Sequence, residues 1–146
     1  YQSDLVSCKA TFDARADNLM QFIDRIANDI GSTSASLKTR AEAYNAGWFD
    51  TRADDIFWNA KGQLYAYYGI LKGARADFSD IISSRGLGAL WDEMEEQTLS
   101  AINLDPLIVS NGKEDGWLMP THLTTIGFYI LRVRSNLIEL RSILDR

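Results

Sequence analysis

Along the last part of the chain, Leu123, Ile126, Ile130, Val133, Leu137, Leu140 and Leu144 recur at steps of 3, 4, 3, 4, 3 and 4. That spacing puts seven apolar side chains on one narrow stripe of a helix. A second stripe of the same kind runs through Phe12, Ala16, Leu19, Ile23, Ile26 and Ile30, and stays in phase through Thr33, Leu37 and Tyr44. Two long stripes cannot remain in water, so each must face other helices. The pattern predicts an all-α fold, an up-and-down bundle of about four long antiparallel helices.

The first helical segment is expected to begin near Asp4 or Thr11 and to run to about Tyr44. Gly31-Ser32-Thr33-Ser34 is its weak point, but the continuing phase favours one long helix over two. Asn45-Ala46-Gly47 reads as a stop and Trp48-Phe49-Asp50 as a short connection. Thr51-Arg52-Ala53-Asp54 has the spacing of a capping box, and the second helix runs from there to about Ile82. Its apolar positions Ile56, Phe57, Ala60, Leu64, Tyr67, Tyr68, Leu71, Ala74, Phe78 and Ile81 span a wide face, suited to more than one neighbour. After a turn over residues 83–88, the third helix carries Leu90, Trp91, Met94, Leu99 and Ile102, and Asp105-Pro106 ends it. Residues 104–119 form the one long irregular stretch. There Ile108-Val109 and Trp117-Leu118, on either side of Asn111-Gly112, suggest a long loop or small hairpin before the last helix, which starts at Pro120-Thr121.

Composition narrows the function classes. The chain has 146 residues, 46% hydrophobic and 24% charged, with two prolines, and reads as a single folded domain over residues 1–146. A net charge of -5 opposes the electrostatic attraction on which nucleic-acid binding depends, so DNA and RNA are not expected partners. Cys8 is the only cysteine, which excludes an intramolecular disulfide and a multi-cysteine zinc site. The longest uncharged stretch, residues 116–131, contains Pro120 and His122 and is too short and polar to span a bilayer. Because the chain opens at Tyr1, it is expected to be a processed protein or an excised segment, with any membrane anchor upstream.

Several phrases in order, Ala14–Leu19, Asp54–Gln63, Ala76–Phe78, Ile108–Gly112, His122 at the head of the last helix and Asn136–Arg141, together resemble a bacterial family known as domain of unknown function 2333. The resemblance implies an inner-membrane protein with one N-terminal membrane helix and a soluble part facing the periplasm, of which this chain is the C-terminal half. It implies no activity, no cofactor and no catalytic residue.

Each candidate site residue also has a structural reading. Asp54 and Asp55 could hold a divalent cation, but both also suit the positive end of a helix, and consecutive residues diverge by about 100°. His122, the only histidine, could serve as a general base oriented by Asp115 or Asp54; as a first-turn residue it is better suited to hydrogen-bond the Asn111-Gly112 loop. No Gly-x-Ser-x-Gly elbow is present. The Asp92-Glu93 and Glu95-Glu96 pairs lack the Glu-x-x-His motif of diiron bundles and read as a solvated face. Among the aromatic residues, Trp48 and Trp117 fall in expected loops and are the better candidates for lining a groove. Arg132, Arg134, Arg141 and Arg146 make the last helix basic, either to pair with the acidic third helix or to mark a partner surface. The expected function is therefore a non-enzymatic interaction or scaffolding domain for an unidentified envelope protein, with no cofactor or metal. The alternative is an envelope hydrolase or small-ligand domain that gathers Asp54, Asp55, Trp58, Asn111, Trp117 and His122. The broad face of the second helix leaves a homodimer open.

Overall fold

The computed structural model describes residues 2–9, 12–43, 51–106, 109 and 121–146, without the side chains of Leu5, Ala43 and Thr51. Four long helices, α2 (Ala16–Ala43), α3 (Thr51–Asp77), α5 (Gly88–Ile102) and α6 (His122–Leu144), are joined by two short ones, α1 (Gln2–Val6) and α4 (Ser79–Ser84). Cross-helix pairs fix their directions. Tyr67 meets Asp29 while Gln63 meets Thr33. Arg75 meets Asp92 while Lys61 meets Asp105. Arg141 meets Asp24 while Arg134 reaches Ala27. In each case the residue numbers run oppositely, so the helices are antiparallel. The fold is the all-α up-and-down bundle that the hydrophobic pattern predicts.

All seven stripe residues of α6 are buried, and α6 packs mainly on α2 and α5. In α2 the stripe residues Leu19, Ile23, Ile26, Ile30 and Leu37 are likewise buried, and Thr33 between them is half-buried. Its first member behaves differently. Phe12 precedes the helix and is half exposed, its ring edge-on to Phe78 with centroids 5.4 Å apart. α2 runs unbroken through Gly31, as the phase requires. Ser32, Thr33, Ser36 and Thr39 turn their hydroxyls back onto carbonyls one turn earlier, which satisfies the hydroxyls within the helix but does not strengthen it; the buried stripe on either side holds it. Gly31 has a packing reason: a Cβ there would lie 2.9 Å from Nε of Arg134, which crosses α2 to donate to the Ala27 carbonyl.

The second predicted helix is divided. α3 ends at Asp77, Phe78 leaves helical geometry at φ -108° and ψ 22°, and α4 follows. Phe78 itself is buried at this break. The α4–α5 turn is a Schellman motif. Gly86 takes φ +65°, its N–H bonds the Ser83 carbonyl, and the Leu87 N–H bonds the Ile82 carbonyl. α5 stops at Ile102, ahead of the expected Asp105-Pro106. Its buried side chains are Trp91, Met94, Thr98 and Ala101, whereas Leu99 is exposed. Thr98 enters the core because its hydroxyl donates to the Met94 carbonyl at 2.7 Å, satisfying its polar group within the helix. Thr121 caps α6, accepting from the Thr124 N–H at 3.0 Å. Of the expected hairpin only Val109 is described, and it is buried; the rest, Asn111 and Trp117 included, lies outside the described residues, as do Trp48 and Asp115.

Candidate functional site

The first turns of α3 place Asp54 and Asp55 in different surroundings. The Trp58 Nε1 donates to Asp54 Oδ1 at 2.9 Å, an i,i+4 contact along the helix. Asp55, one residue on, lines a cleft of about 360 Å³ between α2 and α3, together with Ser32, Ser36, Ile56 and Asn59. The two carboxylates are thus divided between neighbouring surfaces, as the angle between consecutive helical residues requires.

Phe57 joins Trp58 to His122. It is fully buried, edge-on to the Trp58 ring at 5.3 Å and to the His122 ring at 6.4 Å. Asp54, Trp58 and His122 therefore share one end of the bundle. Burial pushes the His122 imidazole below its ordinary value, so the ring is neutral at pH 7. Its position at the first residue of α6, where the helix dipole disfavours a cation, acts in the same direction.

Lys61, one turn beyond Trp58, is a member of this cluster that sequence reasoning left out. Its side chain is only 17% exposed. The ammonium lies 4.7 Å from the Trp58 ring centroid and donates to the Leu104 carbonyl at 2.7 Å and to Asp105 at 3.2 Å. A cation held against an aromatic face and past the end of α5 ties α3 to the chain leaving α5. The i,i+3 spacing from Trp58 was the available signal; its partners beyond Ile102 were not visible in a linear pattern.

Charge on the other helices is used within the bundle. Arg75 bridges Asp92 at 2.6 Å and Glu95 at 3.4 Å, and Arg132 pairs with Glu93 at 3.1 Å. Arg141 pairs with Asp24 at 3.1 Å. The acidic face of α5 is therefore partly neutralised by arginines from α3 and α6. Such pairs contribute at most about 1 kcal/mol each where exposed. Between α2 and α3, Asp29 accepts from Tyr67 at 2.8 Å and from Arg25 at 3.3 Å. Burial first, then that bond to Asp29, raises the Tyr67 phenol above its ordinary value.

A larger opening lies between α2 and α6. It encloses about 610 Å³ over a floor that includes Gly31, Ala35, Leu37 and Gly127, with Phe128 and Leu131 at its rim, each 54% exposed. Both rim residues fall off the buried stripe of α6, and that departure is the sequence signal by which they could have been found.

Among the described residues no group of three or more His, Cys, Asp or Glu side chains is placed to hold a metal ion. No helix among them is long and apolar enough to cross a membrane. The molecule belongs by its architecture to the all-α bundle domains, with open clefts along its helix seams. More specifically, the chain belongs to the bacterial family described as "Uncharacterized protein conserved in bacteria" (DUF2333), which matches it over residues 37–146. The match starts inside α2 and takes in every quoted phrase except Ala14–Leu19, confirming the resemblance. No curated protein and no solved structure matches the chain.

Proposed function

We propose that this chain is a non-enzymatic interaction or scaffolding domain of a bacterial envelope protein, held on the periplasmic side of the inner membrane by a segment upstream of the sequence. The α2–α6 groove carries this reading. Phe128 and Leu131 stand more than half exposed beside a floor of small residues, a shape suited to the apolar face of a partner helix. The envelope location draws on the family resemblance. A second reading, a small-ligand or hydrolytic site near His122, Asp54 and Asn111, draws on Phe57, which links Trp58 to His122.

Affinity capture of the full-length protein from its native cells separates the two. Under the first reading one envelope protein is retained near stoichiometry, is lost from Leu131→Glu with an unchanged melt, and is kept by His122→Ala. Capture that is indifferent to Leu131 would sink that reading. A small molecule that stabilises the wild type but not His122→Ala would establish the second.

A further inference from the structure

A glycine inside a helix is unfavourable relative to alanine, and the glycines of this bundle differ in what they make room for. At Gly69 of α3 a Cβ would meet nothing within 4 Å among the described residues. At Gly31, where the α2–α6 groove begins, it would lie 2.9 Å from Nε and 3.5 Å from Cζ of Arg134. The missing side chain is what lets the guanidinium rest directly on α2. There Nε donates to the Ala27 carbonyl at 3.3 Å, which holds the group by one of its five donors.

That bond leaves both terminal nitrogens of Arg134 without a partner among the described residues. Neighbouring cations are engaged. Arg132 is shared between Glu93 at 3.1 Å and the Phe128 ring at 5.8 Å. Arg141 meets Asp24 at 3.1 Å, and Lys38, in the groove lining, meets Glu42 at 3.7 Å. No carboxylate among the described residues meets Arg134, in a chain whose net charge is -5. A guanidinium seated against backbone with its terminal donors open is suited to take a carboxylate through two parallel hydrogen bonds.

The surroundings of Arg134 bear on where that carboxylate comes from. Leu131 and Ile138, 54% and 46% exposed, are seven residues apart and so lie almost on one line of α6, with Arg134 between them on the side toward α2. Phe128, 54% exposed, extends the apolar row by a turn, beside the floor of Gly31, Ala35 and Gly127. An anionic membrane surface would call for several unpaired cations together, and this groove offers one. A single cation among apolar contacts matches a single acidic residue on an otherwise apolar helix face, since one polar position is enough to fix the register of paired helices.

We infer that the α2–α6 groove takes a helix of another protein that carries one Asp or Glu within its apolar stripe, and that this carboxylate pairs with Arg134. Apolar residues on either side of the acid pack on Leu131 and Ile138, and one further along reaches the floor beside Phe128. The ion pair sets the register and direction of the docked helix, while the apolar contacts supply most of the buried surface. Gly31 serves recognition indirectly, by holding Arg134 in place. The inference rests on the groove reading proposed above and adds to it the chemistry of the partner.

Photo-cross-linking of the full-length protein in its native cells tests it. With benzoylphenylalanine in place of Phe128, the trapped peptide is expected to come from a helix of another protein, with one Asp or Glu among apolar residues spaced by three and four. Arg134→Glu should reduce the cross-linked yield by about tenfold or more, and changing the partner's acid to Lys should restore it. Because the rescue is read in the charge-reversed protein, loss of fold is not mistaken for loss of the pair. Gly31→Ala, which displaces the guanidinium without removing it, should also lower the yield. A trapped segment without a carboxylate overturns the inference, as does failure of the charge reversal to rescue, or cross-linking to lipid alone. If Leu131→Glu removes the partner and Arg134→Glu does not, the groove reading stands and the carboxylate is wrong. If nothing is trapped, or neither substitution matters, both fall.

Discussion

α6 and α3 have similar lengths, 23 and 27 residues, yet the bundle uses them differently. α6 buries an unbroken stripe against two close neighbours, and its exposed apolar residues, Phe128, Leu131 and Ile138, lie off that stripe. α3 touches α2, α5 and α6, buries Phe57, Ala60, Leu64, Leu71 and Ala74, and leaves Trp58, Tyr65 and Ile70 in contact with water. A narrow stripe of large side chains specifies a neighbour by itself. A wide face interrupted by small and aromatic residues divides its surface between the core and whatever meets it from outside.

The two helices should therefore respond oppositely to substitution. Ile130→Asp, on the α6 stripe, places an unpaired carboxylate in a site that is now fully buried and should abolish the cooperative melt. A melt near the wild-type midpoint would refute the role assigned to α6. Leu64→Ala, on the buried side of α3, should cost about 2–5 kcal/mol in denaturant unfolding; a cost below about 1 kcal/mol would show that α3 is loosely held on its inner side too. His122→Ala, where α6 begins beside Phe57 of α3, should cost about 1–3 kcal/mol, and an unchanged melt would point to a residue kept for function.

The same histidine makes a prediction about pH. Its folded value lies below the ordinary one, so between the two the unfolded chain binds a proton that the folded chain does not. Stability from this group is complete above about pH 6.5 and is lost as the pH falls toward the lower folded value. The wild-type melting temperature should drop more steeply on acidification than that of His122→Gln, and parallel curves would remove His122 as the cause. At the small end, Gly69→Ala on the open side of α3 should stabilise the monomer by about 0.5–1 kcal/mol. Gly31→Ala, where Arg134 must move, should give no such gain. If both behave alike, the distinction between a glycine required by packing and one left open is wrong.

Much of the architecture was legible because its determinants are periodic or local. The α6 stripe, the passage of α2 through Gly31, the turn before α5 and the start of α6 at Thr121 each follow from helical spacing or from hydrogen bonds within a few residues. The errors occurred where a distant surface competed with the local pattern. Phe12 continues the α2 spacing but packs on Phe78 ahead of the helix, and Phe78 in turn ends α3 earlier than the periodicity of that segment suggests. Leu99 and Thr98 are adjacent on α5, and the self-satisfied hydroxyl allowed Thr98 to take the inner position.

Of the candidate site, sequence placed Asp54, Asp55 and Trp58 at the start of one helix and His122 at the start of another. Tertiary structure then divided them. The bond between Asp54 and Trp58 is local to the helix, whereas packing faced Asp55 toward the α2–α3 cleft, set Phe57 between Trp58 and His122, and brought Lys61 to the end of α5. Spacing along a helix determines which direction a side chain points, and the sequence alone contains that. What the side chain meets there depends on how separate helices pack, so the grooves beside Phe128 and Ile70 and the partners of Lys61 exist only once the bundle has closed.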